Sequence, residues 1–286
     1  MQFWVIQTLN SLALGGLLFL LAAGFSLIFG LMRIANLTHG AYYMLGAYIG
    51  VSILKVIPNL WVAALLGGLV VAVLGGLVER FILRKLAGNE LGQVLVTLGF
   101  AYIIADFCLV MWGGDPIPVP TPESLESPIE IAGFMFPAYR LAVVVIALAT
   151  GVGLYLLMER TRLGAMIRAG VDDMQMARAV GIPVSRLFTI VFCLGSALAG
   201  AGGILGGPIM SAYPGLDFDM LPLALIVVIL GGVGSLIGAF VGSFIIGFVY
   251  TFGIALFPQF AYVILFLPMI VVIAFRPRGL FGRQVA

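Results

Sequence analysis

The stretch MQFWVIQTLNSLALGGLLFLLAAGFSLIFGLM, residues 1–32, contains no charged side chain. Further charge-free runs follow at 56–78, 141–158, 187–216 and 220–275. A transmembrane helix needs about 20 mostly apolar residues, and a soluble domain is only roughly half apolar. This chain of 286 residues is 63% hydrophobic and 9% charged. We therefore predict an all-α polytopic membrane protein.

Gly, Pro and charged residues divide the chain into its helices. The predicted spans are 8–31, 36–54, 60–79, 93–112, 139–158, 187–209, 219–233, 236–257 and 260–275. The count is eight or nine, because one span starts with the polar residues NLTHG and another is short. We expect a single transmembrane domain over 1–286. Since no basic residue precedes the first apolar run, that run is predicted to be a retained helix and not a signal peptide.

The sequence contains no catalytic or metal-binding pattern, and we expect no cofactor. Cys108 and Cys193 both lie in apolar segments, where packing is the expected role. Neither of the two lysines, Lys55 and Lys85, follows a glycine, so the phosphate-binding G-x-x-x-x-G-K-[ST] loop is absent. Any ATPase that drives this protein must then be another chain. A net charge of +2 gives no reason to expect a nucleic-acid partner.

Basic residues collect on one side of the predicted topology. The twelve on this side are Arg33, Arg80, Arg84, Lys85, Arg160, Arg162, Arg168, Arg178, Arg186, Arg276, Arg278 and Arg283. Only Lys55 and Arg140 fall on the other side. Because basic residues stay in the cytoplasm, we predict a cytoplasmic C-terminus and a cytoplasmic loop at 159–186. The acidic, proline-rich loop 113–138 then lies outside, either as a connector or as a docking surface.

The predicted cytoplasmic loop contains a polar insert, RAGVDDMQMARAVGIPVSR, at 168–186. Asp172 is a good N-cap residue, and Gln175 three residues later completes a capping-box pattern. Gly181 fits the position that follows a helix, and Pro183 blocks its continuation. The sequence therefore predicts a short helix with both ends marked.

This helix, over about 173–180, would be roughly 12 Å long at 1.5 Å per residue. Helices this short are marginal in water on their own. Its apolar side consists of Met174, Met176, Ala177 and Val180. Either the chain's own bundle or another protein must cover that side.

Three longer strings carry a family resemblance: ERTRLGAMIRAGVDDMQMARAVGIPVSRL around the insert, GLMRIANLTHGAYYMLGAYIG at 30–50 and LALIVVILGGVGSLIGAFVGSFIIG at 223–247. They resemble branched-chain amino acid permeases of the LivH type over essentially the whole chain. The general ABC-permease loop pattern, Glu-Ala-Ala, three residues, then Gly, is matched by Ala177 and Gly181. Gln175 and Met176 depart from it.

The resemblance implies a permease subunit of an ATP-binding-cassette importer in the bacterial inner membrane. It implies four partner chains: a second, LivM-like permease, two cytoplasmic ATPases and a periplasmic substrate-binding protein. The implied ATPase-coupling residues are Arg168, Asp172, Asp173, Ala177, Gly181 and Ile182. A small residue at Ala177 would permit close approach, and Gly181 would allow the turn that ends the helix.

Two interrupted segments are candidates for the substrate pathway, because irregular backbone at membrane depth lines a cavity or is buried in protein. The first group is Asn36, Thr38, His39, Gly40, Tyr42 and Tyr43; the second is Gly231, Gly232, Gly234 and Ser235. The flanking sequences at 46–50 and 238–242, GAYIG and GAFVG, indicate an internal repeat. Small residues that pack helices closely are the alternative explanation, and His39 is expected to be structural more often than a substrate contact.

Other functions stay open from the residues alone. An ion-coupled secondary transporter often uses an intramembrane acid, for which Asp106 is the candidate. A membrane enzyme would need a nucleophile–base pair or a metal cluster, which a single histidine does not favour. Branched-chain amino acids come from the resemblance only, and related permeases are expected to carry amides or urea.

Overall fold

A computed structural model describes residues 2–32, 36–131 and 133–282. Arg33 and Arg283, two of the twelve residues in the positive-inside argument, lie outside these ranges. The described part contains eleven α-helices: α1 Gln2–Met32, α2 Thr38–Leu54, α3 Leu60–Phe81, α4 Glu90–Trp112, α5 Ala138–Arg160, α6 Arg162–Asp172, α7 Met174–Ala179, α8 Val184–Met210, α9 Leu216–Gly231, α10 Leu236–Leu256 and α11 Ala261–Phe275. Short 3-10 turns lie at Leu83–Leu86, Glu123–Leu125 and Pro258–Phe260.

The structure confirms an all-α polytopic membrane protein, and each of the nine predicted spans is a helix. Within the described ranges, six helices are long and apolar enough to cross a bilayer: α1, α3, α4, α5, α8 and α10. The helices α2, α9 and α11 have 17, 16 and 15 residues and are shorter than a typical span. Two of these three are the spans that the sequence left in doubt.

Polar side chains cap the N-termini of α3, α4, α6 and α10. The side chains of Asn59, Asn89, Thr161 and Ser235 each accept a hydrogen bond from a backbone N–H in the first turn of α3, α4, α6 and α10. These four caps satisfy donors that have no partner inside the helix. They set the first residue of each of these helices.

The centre of the bundle is formed by α1, α2 and α8. Helix α1 packs against α10, α8 and α5, and α8 also packs along α3 and α2. Thirteen of the seventeen residues of α2 are buried. By contrast, α3, α4, α5 and α11 present many exposed apolar side chains, as expected of surfaces that face lipid or another membrane subunit.

One end of the bundle, here called the basic end, carries ten described basic residues. They are Arg80, Arg84, Lys85, Arg160, Arg162, Arg168, Arg178, Arg186, Arg276 and Arg278. Contacts between distant segments close this end: Arg84 donates to the Ser185 carbonyl at 2.8 Å, and the Leu280 amide donates to the Leu230 carbonyl at 2.9 Å. These contacts join the end of α3 to the start of α8 and the segment after α11 to the end of α9, and residues of both regions, Asp173 and Arg278, line one cleft at this end.

The opposite end contains the acidic loop between α4 and α5. A hairpin of β1, Pro128–Ile131, and β2, Phe134–Pro137, pairs antiparallel just before α5 begins. Earlier in the loop, Ile117 exchanges two backbone hydrogen bonds with Ala212, which follows α8, at 2.8 and 2.9 Å. The loop is thus attached to the bundle at both its start and its end.

Candidate functional site

The predicted short helix is α7, at the basic end. Its N-cap is Asp173 and not Asp172, so that part of the prediction is wrong. Asp173 has extended backbone, and its Oδ1 accepts from the amides of Gln175 and Met176 at 2.9 Å each. Asp172 is the last residue of α6, a helix that the sequence did not reveal, and helical backbone does not suit a cap. With the cap at Asp173, Gln175 is one residue too early for a capping box.

The end of α7 agrees with the prediction. The Gly181 amide donates to the Arg178 carbonyl and the Ile182 amide to the Ala177 carbonyl, both at 3.0 Å. This pair of bonds is a Schellman motif, and Gly181 has the left-handed backbone, φ +87°, that the motif requires. Pro183 follows, and α8 starts at Val184. The helix is consequently fixed at both ends despite having only six residues.

Burial divides the apolar side of α7 into two parts. Ala177 is 3% exposed, so it faces the chain's own bundle and is not an open contact surface. Ile182 also packs against that bundle. Met176 and Val180 are 60% and 69% exposed and point away from it. The sequence identified these two side chains as apolar but could not tell that they, and not Ala177, are exposed.

Arg168 holds the base of this segment. Its guanidinium donates to the Met158 carbonyl and forms an ion pair with Glu159 at 3.5 Å. Both partners lie in the last turn of α5. Arg168 therefore fastens α6 to α5, which fixes the direction in which α7 leaves the bundle.

The first group of candidate pathway residues lies at the start of α2, and all six are buried. The Thr38 hydroxyl donates to the Thr97 carbonyl of α4 at 2.7 Å, and the Asn36 carboxamide oxygen accepts from the Thr38 amide at 3.2 Å. His39 Nε2 contacts the Leu21 carbonyl of α1 at 3.0 Å. A carbonyl only accepts, so Nε2 is the nitrogen that carries the proton.

These contacts place the start of α2 well inside the bundle. Leu21 is roughly 16 Å from the Met32 end of α1 at 1.5 Å per residue. A Cβ on Gly40 would lie 2.7 Å from the Asp217 carbonyl in the first turn of α9. The beginnings of the two short helices α2 and α9 therefore meet near the middle of the bundle.

Several buried polar atoms in this region lack a hydrogen-bond partner among the residues that the structure describes. They are Asn36 Nδ2, His39 Nδ1, Asp217 Oδ1, Ser196 Oγ and the hydroxyls of Tyr42, Tyr43 and Tyr48. Unsatisfied buried polar atoms are costly and tend to mark functional positions or sites for water. Sequence reasoning missed Asp217, because it lies just outside the predicted span 219–233, and Ser196, which sits among glycines in α8.

The second group, Gly231 to Ser235, lies at the basic end, where α9 turns into α10. Gly234 approaches Gly30 of α1 so closely that a Cβ on Gly234 would lie 2.9 Å from the Gly30 Cα. The Phe281 amide donates to the Gly231 carbonyl at 2.9 Å, so the segment after α11 covers this turn. Gly30 is nine residues from Leu21 in α1, which separates the two groups by about 13 Å along the axis.

A cleft of 1180 Å³ at the basic end joins the second group to the predicted coupling residues. Gly234 and Ser235 line one side, and Arg168, Asp172 and Asp173 line another. The structure thus brings the coupling segment and the α9–α10 turn together. It does not bring either one to the buried start of α2.

The fold and site define a class: a polytopic helical membrane protein with interrupted inner helices and a short capped helix at its basic end. Residues 7–273 match the family model described as "Branched-chain amino acid transport system / permease component". The chain belongs to this family, as the resemblance indicated.

Individual relatives agree with this membership. The chain is 28% identical to the high-affinity branched-chain amino acid transport system permease protein BraD of Pseudomonas aeruginosa, over 97% of this chain and 95% of the relative. It is 24% identical to the LivH permease protein of Salmonella typhimurium, over 98% and 96%. A third relative, the autoinducer 2 import system permease protein LsrC of Klebsiella pneumoniae, is 29% identical over 58% of this chain and 49% of its own length.

Proposed function

We propose that this chain is a membrane-spanning permease subunit of an ATP-driven importer of branched-chain or similar small hydrophobic amino acids, with its basic end in the cytoplasm of a bacterial cell. The positive-inside rule supports this orientation, because ten described basic residues share one end. The relatives named for branched-chain amino acid transport match nearly the full chain and support the substrate class.

The observation that carries the proposal is the exposed apolar pair on α7. Met176 and Val180 project from a helix of six residues that is capped at both ends. Such an apolar pair at the polar end of a membrane protein fits contact with another protein better than contact with water. We assign this contact to a cytoplasmic ATPase subunit, since the chain has no phosphate-binding loop of its own.

A second permease subunit is supported by Asp106. This carboxylate is on the exposed side of α4, six residues before the helix ends at Trp112. A charged side chain that faces lipid is expensive, whereas one that faces a subunit interface or a water-filled path is not. We place the partner permease on this face of α4. An ion-coupled carrier gains no support from it, because Asp106 is not inside the bundle.

The acidic loop is proposed as the site for the substrate-binding protein. It carries Asp115, Glu123, Glu126 and Glu130 and no basic residue between Gly113 and Pro137. Val119 packs against Gly207 near the end of α8, and the bridge from Ile117 to Ala212 holds the same region. Substrate choice is tested on the cognate binding protein, where leucine should bind tightly and acetamide and urea should not.

The coupling proposal is tested by Met176→Asp and Val180→Asp in the complete complex reconstituted in liposomes. Burying an unpaired carboxylate in the subunit contact costs several kcal/mol, so ATP-driven uptake should fall by about tenfold or more. Ala87→Asp is the matched control, because Ala87 is an exposed apolar residue at the same end but lies in the connection between α3 and α4. If both variants take up substrate as fast as this control and retain the same amount of ATPase subunit in the purified complex, the assignment of α7 is refuted.

A further inference from the structure

An ion pair with a buried carboxylate links the end of α3 to α8 at the basic end and has no role in the site described so far. Glu79, in the last turn of α3, is 0% exposed. Its Oε1 accepts from Arg84 Nε at 3.1 Å, and its Oε2 accepts from Arg84 Nη2 at 2.8 Å. The Thr189 hydroxyl of α8 donates to the same Oε2 at 2.7 Å. Arg84 also donates to the Ser185 carbonyl at 2.8 Å. These four residues are here called the Glu79 cluster.

The cluster stands at the end of an unusually close helix pair. A Cβ on Gly75 of α3 would lie 2.7 Å from Ser196 Cβ of α8, and one on Gly76 would lie 2.5 Å from Cys193 Sγ. With backbone and side chain in such contact, α3 and α8 cannot slide past each other without separating. The Glu79 cluster closes this pair where the chain leaves the membrane region.

Ser185 and Thr189 lie in the first two turns of α8, directly after α7. Only the Schellman turn and Pro183 separate Ala179, the last residue of α7, from Val184, the first of α8. Any displacement of α7 therefore acts first on the turn of α8 that Arg84 and Glu79 hold. Through the cluster the same displacement reaches α3.

The chemistry favours a positioning role over a purely stabilising one. This ion pair contributes little net stability, because the desolvation of the fully buried Glu79 carboxylate offsets its attraction to Arg84, whose side chain is 33% exposed. It does impose direction, since Arg84 offers a planar fork and Glu79 accepts on both oxygens. Such a pair resists relative movement of α3 and α8 more specifically than apolar packing does.

We propose that the Glu79 cluster makes α3 and α8 move as one body when the ATPase displaces α7, so that it sets the yield of transport per ATP hydrolysed. This inference rests on the proposed function of α7 as the ATPase contact. Glu79 and Thr189 are positioning residues in this scheme, because neither one touches substrate or ATPase.

The test measures substrate taken up per ATP hydrolysed by the complete complex in liposomes, together with the amount of assembled complex. Glu79→Gln keeps the shape and removes the charge, and the uptake ratio should fall by about fivefold or more, the usual range of a coupling between sites. Thr189→Val removes, at nearly constant volume, the hydroxyl that donates to Glu79 and accepts from Arg84 Nη2 at 2.6 Å. Each lost bond should lower the ratio by about two- to tenfold. Thr189→Ser keeps the hydroxyl and should restore the wild-type ratio.

Arg80→Gln is the matched control, because Arg80 is exposed one residue from Glu79 and its guanidinium contacts only the Phe81 ring, at 5.9 Å, among the interactions described. Its ratio should equal that of the wild type. A wild-type ratio in Thr189→Val, whether or not Glu79→Gln assembles, overturns the proposal. So does an equal loss in Thr189→Ser and Thr189→Val. If Met176→Asp uncouples the complex while the cluster variants do not, the proposed role of the Glu79 cluster is refuted and the proposed role of α7 is retained.

Discussion

Replacement of Gly24 by alanine should separate two helices at the centre of the bundle. Helix α1 crosses α8 where Gly24 meets Gly195, and a Cβ on Gly24 would lie 2.5 Å from the Gly195 carbonyl oxygen and 3.0 Å from its Cα. Ordinary contact begins near 3.4 Å. The helices would have to part by about 0.9 Å, because both contacting atoms are backbone and cannot rotate away.

The size of the effect follows from overpacking, which costs about 1–3 kcal/mol for an added carbon in a well-packed core. Contact with rigid backbone places Gly24→Ala at the upper end of that range. Alanine also favours a helix over glycine by about 1 kcal/mol. Gly99→Ala in α4 gains the same helix preference, and its added Cβ meets nothing within 4 Å. The difference in stability between the two variants therefore reports the overpacking alone.

The assay is the temperature at which half of the detergent-solubilised chain remains monodisperse after heating. Gly24→Ala should melt roughly 5–10 °C below Gly99→Ala, given a few degrees per kcal/mol for a chain of this size. Gly195→Ala should show a similar loss, since its Cβ would lie 2.7 Å from the Gly24 carbonyl oxygen. Equal melting of Gly24→Ala and Gly99→Ala would show that α1 and α8 are not in backbone contact.

Three further predictions concern α7 and α2. Asp173→Ala should destabilise α7 by about 0.5–2 kcal/mol, because two first-turn amides lose their acceptor. Hydrogen exchange at residues 174–179 should therefore be faster in Asp173→Ala than in Asp173→Asn, which keeps an acceptor oxygen. Gly181→Val should raise exchange in the same segment, since a β-branched residue at φ +87° is strained by about 1–2 kcal/mol, whereas Gly181→Asn should not. His39→Ala should lower the melting temperature through the lost contact with Leu21 and leave the KM of uptake unchanged, because the ring is buried; a changed KM would place His39 on the pathway.

Local signals in the sequence predicted the helices well and their mutual arrangement poorly. Apolar runs divided by Gly, Pro and charged residues located nine helices, and Gly181 with Pro183 located the end of α7. The start of α7 was wrong by one residue, because two adjacent aspartates have the same capping chemistry. Only the extent of α6 decides between Asp172 and Asp173.

The candidate site shows the same limit. The sequence treated the residues around His39 and those around Gly234 as parts of one pathway, because both interrupt apolar segments. The structure separates them, since Leu21 and Gly30 hold them at different depths along α1. It also joins Gly234 to Asp173 through one cleft. The internal repeat at 46–50 and 238–242 stays a prediction.

The sequence by itself determined that this chain lies in a membrane, which end is basic, and that a short capped helix projects from that end. These properties follow from hydropathy, charge and capping chemistry, which act over a few neighbouring residues. Only the tertiary structure decided that Ala177 faces inward while Met176 and Val180 face outward, and that Glu79 meets Thr189. Those outcomes depend on contacts between helices far apart in the chain, where shape and the need to satisfy buried charge select the partners.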